Sequence, residues 1–123
     1  MNSTTQRGVV LFAHGSRDPL WRAPMEAVAK HAALMDATAT VACAYLELTE
    51  PDLPTVCAQM VNSGVSAITV VPMFLGVGKH AREDLPVLMD ELKAAHPHVQ
   101  FSLQAAVGEH PAVVDLLARI AIA

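Results

Sequence analysis

The apolar positions of this chain alternate between two rhythms, short solid runs and longer stretches with a period near 3.6 residues. Solid runs cover Gly8 to Ala13, about Ala39 to Leu46, and Ala67 to Met73, and each reads as a buried strand. A fourth run differs. Val99, Phe101, Leu103 and Ala105 alternate with Gln100, Ser102 and Gln104, as in an edge strand with one wet face.

Between and after the strands lie four amphipathic stripes. The first is Trp21, Met25, Val28, Ala32 and Met35. The second is Leu53, Val56, Cys57, Met60 and Val61, and the third is Leu85, Leu88, Met89 and Leu92. The last, Val113, Leu116, Leu117 and Ile120, is expected to bury its face like the others.

Local signals bound these helices. Asp18 or Arg22-Ala23 can open the first, since Pro19 and Pro24 both suit an initial turn. Thr49-Glu50-Pro51-Asp52 reads as a capping box with proline in the first turn. Gly64 closes the second helix as a left-handed cap, Pro97 stops the third, and Pro111 opens the fourth.

Strict alternation of strand and helix implies an α/β fold, with one four-stranded parallel sheet, right-handed crossovers and helices on both faces. The most apolar strands, first and third, belong in the middle, giving the order 2-1-3-4. The topological switch point then lies between strands one and three. Ligands of open α/β sheets bind in the crevice at such a point, beyond the carboxyl ends of the strands.

Both of those strands are followed by a histidine. The first runs into His14-Gly15-Ser16-Arg17-Asp18-Pro19, and the third into Phe74-Leu75-Gly76-Val77-Gly78-Lys79-His80. His14 and His80 therefore flank one crevice. Imidazole suits Fe, Co, Ni and Zn better than Mg or Ca, and it exchanges protons near neutral pH. Glu47, just past the second strand, can add a carboxylate to the same rim.

Gly76-Val77-Gly78 follows the third strand rather than the first and lacks a third glycine, so it is a poor dinucleotide fingerprint. It suits a loop that gives a flat ligand close access to backbone. Phe74 and Leu75 read either as an apolar wall of the crevice or as loop residues tucked onto the core. Arg17, Lys79 and Arg82 stand beside the histidines, positioned either for ligand carboxylates or as solvated charge. His31, His96 and His98 read as surface residues. His110, at the strand-to-helix loop before the last helix, reads either as a partner for that helix's orphan backbone groups or as a ligand.

Composition narrows the classes further. With 123 residues, 53% of them apolar and 16% charged, the chain has the makeup of one globular domain spanning 1–123. A net charge of −4 gives no support for a nucleic-acid partner, which would want a basic face. Cys43 and Cys57 lack cluster or redox spacing and read as small buried apolar residues. No apolar run approaches the roughly 20 residues of a membrane span. The run after Arg7 is too short for a signal peptide, so a cytoplasmic location is expected.

Four segments together resemble the short sirohydrochlorin chelatases, class II tetrapyrrole chelatases of the cobalamin and siroheme pathways. They are Leu11 to Pro19, Tyr45 to Pro51, Val71 to His80, and Gly108 to Pro111. The pairing of His-Gly-Ser-Arg with Pro-x-Phe-Leu-x-x-Gly-x-His carries most of the likeness, which extends from about Gly8 to Leu117.

The resemblance implies insertion of Co²⁺ or Fe²⁺, with Ni²⁺ also within range, into sirohydrochlorin. The metal is then a substrate, and no permanent cofactor is expected. His14 and His80 would bind the metal and accept the pyrrole protons, with Glu47 as a further metal ligand. Ser16, Arg17, Phe74, Leu75, Gly76, Val77, Gly78, Lys79 and Arg82 would contact the tetrapyrrole. Short members match half of a two-domain enzyme, which implies a homodimer of chelatase-like half domains.

Two rivals stand beside this reading. Phosphoryl transfer on a strand-end His-Gly wants an arginine immediately before it, and this chain has Ala13. A carrier that binds metal or tetrapyrrole without turnover could use the same fold.

Overall fold

The solid apolar runs pair with one another because each can satisfy its backbone only through neighbouring strands while burying both faces. The computed structural model describes residues 6–123. Strands β1 (Arg7–Ala13), β2 (Ala39–Tyr45), β3 (Ala67–Pro72) and β4 (Gln100–Leu103) form one parallel sheet, ordered β2-β1-β3-β4 as the alternation predicts. The helices are α1 (Ala23–Met35), α2 (Leu53–Asn62), α3 (Lys79–Ala95) and α4 (Pro111–Ile122), with a 3-10 turn at Val107–Glu109.

The register sets Phe12 beside Ala44 and Pro72, and Leu11 beside Cys43 and Val71. Side chains alternate across the sheet, so these rows face opposite sides. Val10, Phe12, Ala44, Ile68 and Val70 belong to the main core, closed by Leu53, Val56, Cys57 and Met60 of α2 and Ala81, Leu85, Met89 and Leu92 of α3. Burial pushes the Cys57 thiol up to about 11, which keeps it an inert core residue.

The opposite face carries Val9, Leu11, Val41, Cys43, Thr69 and Val71. α1 packs there, chiefly over β2, where the Cys43 Sγ donates to the carbonyl of Met25 at 3.5 Å. Thr69 and Val71 are half-buried while Ile68, Val70 and Pro72 are sealed. β3 is thus closed on one side and partly open on the other.

Three expectations need correction. The α1 stripe is not buried: Met25, Ala29 and Ala32 are half-buried against the sheet, while Trp21, Val28 and Met35 are exposed. A helix lying over the edge strand leaves one flank uncovered. The second helix is capped not by Thr49 but by Asp52, whose Oδ1 accepts from the Thr55 N–H at 2.9 Å. The proline of its first turn is Pro54, and Pro51 follows a cis peptide outside the helix. Finally, α4 buries none of its residues, including Val113, Leu116, Leu117 and Ile120. It packs on the 3-10 turn that launches it rather than on the sheet. Among the described residues, no helix is long and apolar enough to cross a membrane.

Candidate functional site

Two loops meet beyond the C-terminal ends of β1 and β2. The Leu46 N–H donates to the carbonyl of Ala13 at 2.9 Å, and the Glu47 N–H to that of His14 at 3.0 Å, so the ladder continues past the strands. Gly15 then turns with φ +101, and a Cβ there would stand 1.7 Å from the carbonyl oxygen of Glu47. Only glycine allows this approach.

Thr49 closes the junction. Its Oγ1 accepts from the Ser16 N–H at 2.9 Å and donates to the Ser16 carbonyl at 2.8 Å. This clamp, not a helix cap, is the role of the Thr49 hydroxyl. A threonine flanked by turn residues offers the same hydroxyl to either partner. Ser16 Oγ in turn accepts from the Asp18 N–H at 3.1 Å, fixing the loop that presents Arg17.

The loop after β3 forms the other side. The Met73 N–H bonds the Phe12 carbonyl at 2.8 Å, extending the β1–β3 pairing. Phe74 turns inward, 5% exposed, whereas Leu75 points out at 70%. Phe74 therefore belongs to the core and Leu75 to the surface. Gly76 and Gly78 stand where an added Cβ would meet nothing within 4 Å.

His80 lies not in the loop but in the first turn of α3, which begins at Lys79 with Gly78 as its cap. Its side chain is 92% exposed, with Nε2 3.9 Å from the Asp84 carboxylate. Arg82 donates from Nη1 to the Val77 carbonyl at 2.8 Å and so ties the loop to the helix. Arg17 and Lys79 are exposed on the same rim.

His14, Glu47 and His80 are all exposed at the strand-end side of the sheet. Among the described residues, no three His, Cys, Asp or Glu side chains gather as a set able to hold a metal ion. The rim is an open face rather than a closed ligand cage. Glu47 also lines a concavity of about 570 Å³ running from Tyr45 to Asp52. A second of about 570 Å³ lies between α1 and β2, against Arg22, Glu26, Lys30, Cys43 and Tyr45. Burial, with the Cys43 thiol beside it, pushes the Tyr45 phenol up to about 12, so it stays protonated and is no base.

Other residues outside this set are also placed. His110 caps α4, its Nδ1 accepting from the Ala112 N–H at 3.1 Å. Gly108, whose packing no local pattern announces, donates its N–H to the Phe74 carbonyl at 2.9 Å. A Cβ on it would stand 1.9 Å from the Leu75 carbonyl oxygen.

Residues 8–122 match the family model for CbiX, a span that includes every rim residue described above. The chain belongs to the CbiX family.

A solved CbiX-family structure, a putative cobalamin (vitamin B12) biosynthesis CbiX protein from Marinobacter aquaeolei VT8, superposes with a TM-score of 0.81 at 35% identity. The match covers 94% of this chain and 93% of that one. The sirohydrochlorin cobaltochelatase of Methanopyrus kandleri is 38% identical over 81 residues, 66% of this chain and 57% of the relative. The chloroplastic sirohydrochlorin ferrochelatase of Arabidopsis thaliana is 26% identical over 110 residues, 89% of this chain and 49% of the relative. The chain thus spans about half the length of these two curated relatives.

Proposed function

We propose that this CbiX-family chain inserts a divalent metal, Co²⁺ or Fe²⁺, into sirohydrochlorin, working as a homodimer of half-size units. The observation that carries the reading is the family match over residues 8–122 together with relatives named for this reaction, some for cobalt and one for iron.

Insertion requires the ion to shed water and the macrocycle to lose two N–H protons as its four nitrogens bind the metal. His14 and His80 hold the ion and take up those protons, which pass to solvent from their exposed rings. An open rim suits this role, because a metal that is substrate must arrive and depart. Glu47 supplies a carboxylate to the incoming ion, carried on a loop that is hydrogen-bonded to the His14 carbonyl.

The tetrapyrrole lies across the loop after β3. Gly76, Val77 and Gly78 offer backbone with no side chain above the two glycines, while Leu75 gives apolar contact. Ser16, Arg17, Lys79 and Arg82 meet the substrate carboxylates, and Phe74 supports the surface from below.

Anaerobic absorbance spectra of the purified protein with sirohydrochlorin and each metal in turn test the proposal. Catalytic conversion to the metallated spectrum is expected, many equivalents per chain. Binding without turnover would replace the enzyme by a carrier, and no binding would remove the substrate assignment.

A further inference from the structure

Leu48 stands at the centre of a three-residue turn that leucine does not favour. The Thr49 N–H donates to the Glu47 carbonyl at 2.8 Å, and Leu48 between them has φ +63. This is a γ-turn of the rare, strained hand, because at positive φ a Cβ crowds the following carbonyl oxygen. Among the described residues, Leu48 is the one non-glycine with positive φ.

The rest of the junction leaves this turn no easier path. The Glu47 N–H is bonded to the His14 carbonyl, and the Glu47 carbonyl lies over Gly15. The Thr49 hydroxyl is engaged twice by Ser16. With both neighbours fixed, position 48 must reverse the chain in one step. Glycine meets that demand freely, and asparagine with less strain than leucine.

Nothing within the fold compensates the choice of leucine. Leu48 is 55% exposed, so most of its surface gains no packing. A strained residue that presents an apolar side chain to solvent points to a contact outside the chain.

Its surroundings say which. Leu48 lines a concavity of about 330 Å³ with Ser16, Arg17 and Asp18, and also the one bordered by Glu47. It stands beyond β2 as the exposed Leu75 stands beyond β3, and β1, which leads into His14, runs between them. Neighbouring strands lie about 5 Å apart, so the two leucines bracket the imidazole at roughly 10 Å across the sheet.

We infer that Leu48 is a substrate-contact residue, held by its strained turn against the apolar ring system of the tetrapyrrole. Arg17 beside it takes a carboxylate at the ring's edge, and Leu75 gives the matching apolar contact on the far side of His14. Because both neighbours of Leu48 are hydrogen-bonded in place, the contact is preorganised and needs little further ordering on binding. This deepens the chelatase reading above and rests on it.

Leu48→Asn separates a contact with substrate from a role in the fold. Asparagine accepts positive φ, so the thermal midpoint should stay level or rise by about 3 °C. The dissociation constant for sirohydrochlorin, from absorbance titration without metal, should rise about five- to tenfold, the worth of covering half a leucine side chain. Leu48→Met keeps the apolar reach and the strain together, and should bind and melt like the parent. Light scattering should give Leu48→Asn the parent's mass. Unchanged affinity would overturn the contact and leave the chelatase reading standing. A lowered midpoint, with or without weaker binding, would make Leu48 a packing residue of its own fold and overturn the contact as well. Affinity lost together with mass would assign Leu48 to an interface between copies instead. A parent that does not bind sirohydrochlorin would overturn both readings.

Discussion

The imidazole of His14 lies against the ring of Phe74, with centroids 4.5 Å apart. Phe74 in turn meets Phe12 edge to face at 6.3 Å. Phe12 of β1, Phe74 of the loop after β3 and His14 just past β1 thus form one aromatic column from core to rim. It exists because β1 and β3 are neighbours, although they are distant in sequence. The column holds His14 from below and leaves its outer face to solvent.

His14→Ala and His80→Ala are therefore expected to reduce kcat by about 10²- to 10⁴-fold, the usual worth of a positioned acid–base group. Both side chains are exposed, so the unfolding free energy should change by no more than about 0.5 kcal/mol. His31→Ala is the control for loss of an imidazole elsewhere. Near-normal turnover by either rim variant would remove that histidine from the mechanism.

Thr49 ties the loop bearing Glu47 to the turn after His14 through two hydrogen bonds to Ser16. Thr49→Val should cost about 1–3 kcal/mol, because the partners are half-buried and left unpaired. Thr49→Ser should recover most of that loss. Urea midpoints of the three proteins measure it, and a Thr49→Val midpoint equal to the parent's would show that the clamp is idle.

The basic rim should act through substrate affinity. Neutralising Arg17 and Lys79 together is expected to raise KM and flatten its salt dependence, each contact being worth about 1 kcal/mol or less in water. Arg82 behaves differently, since its guanidinium already holds the Val77 carbonyl. Arg82→Gln should also loosen the Gly76–Gly78 loop, seen as faster amide exchange there. A KM unchanged in the Arg17/Lys79 double variant would return both residues to the solvated surface.

Asp52 provides the pH-dependent term. Hydrogen bonds from the Thr55 hydroxyl and N–H hold its carboxyl below the ordinary 3.8. A carboxyl depressed by folding stabilises the protein above its unfolded value and loses that contribution as pH falls through the folded one. Asp52→Ala should cost about 1 kcal/mol near neutrality as a lost helix cap. The gap between the two proteins should narrow below pH of about 4. Thermal melts at pH 7 and pH 3 show whether it does.

The sequence alone determined the sheet. Solid apolar runs can be satisfied only by pairing, and alternation with helical stripes forces parallel strands and right-handed crossovers, so the order 2-1-3-4 follows from which runs are most apolar. It also determined that His14 and His80 stand at one switch point, since both follow the two central strands.

Tertiary structure decided what local pattern cannot encode. Thr49, in a segment that reads as a helix cap, bonds Ser16 instead, because that choice depends on a backbone more than thirty residues away. Phe74 and Leu75 are equally apolar neighbours, yet only the aromatic column buries one of them. The stripe of α4 has the period of a buried helix, and period reports amphipathicity without naming the surface that receives it. Gly108 packs against Leu75 just before α4 starts, and the helix that follows buries none of its residues.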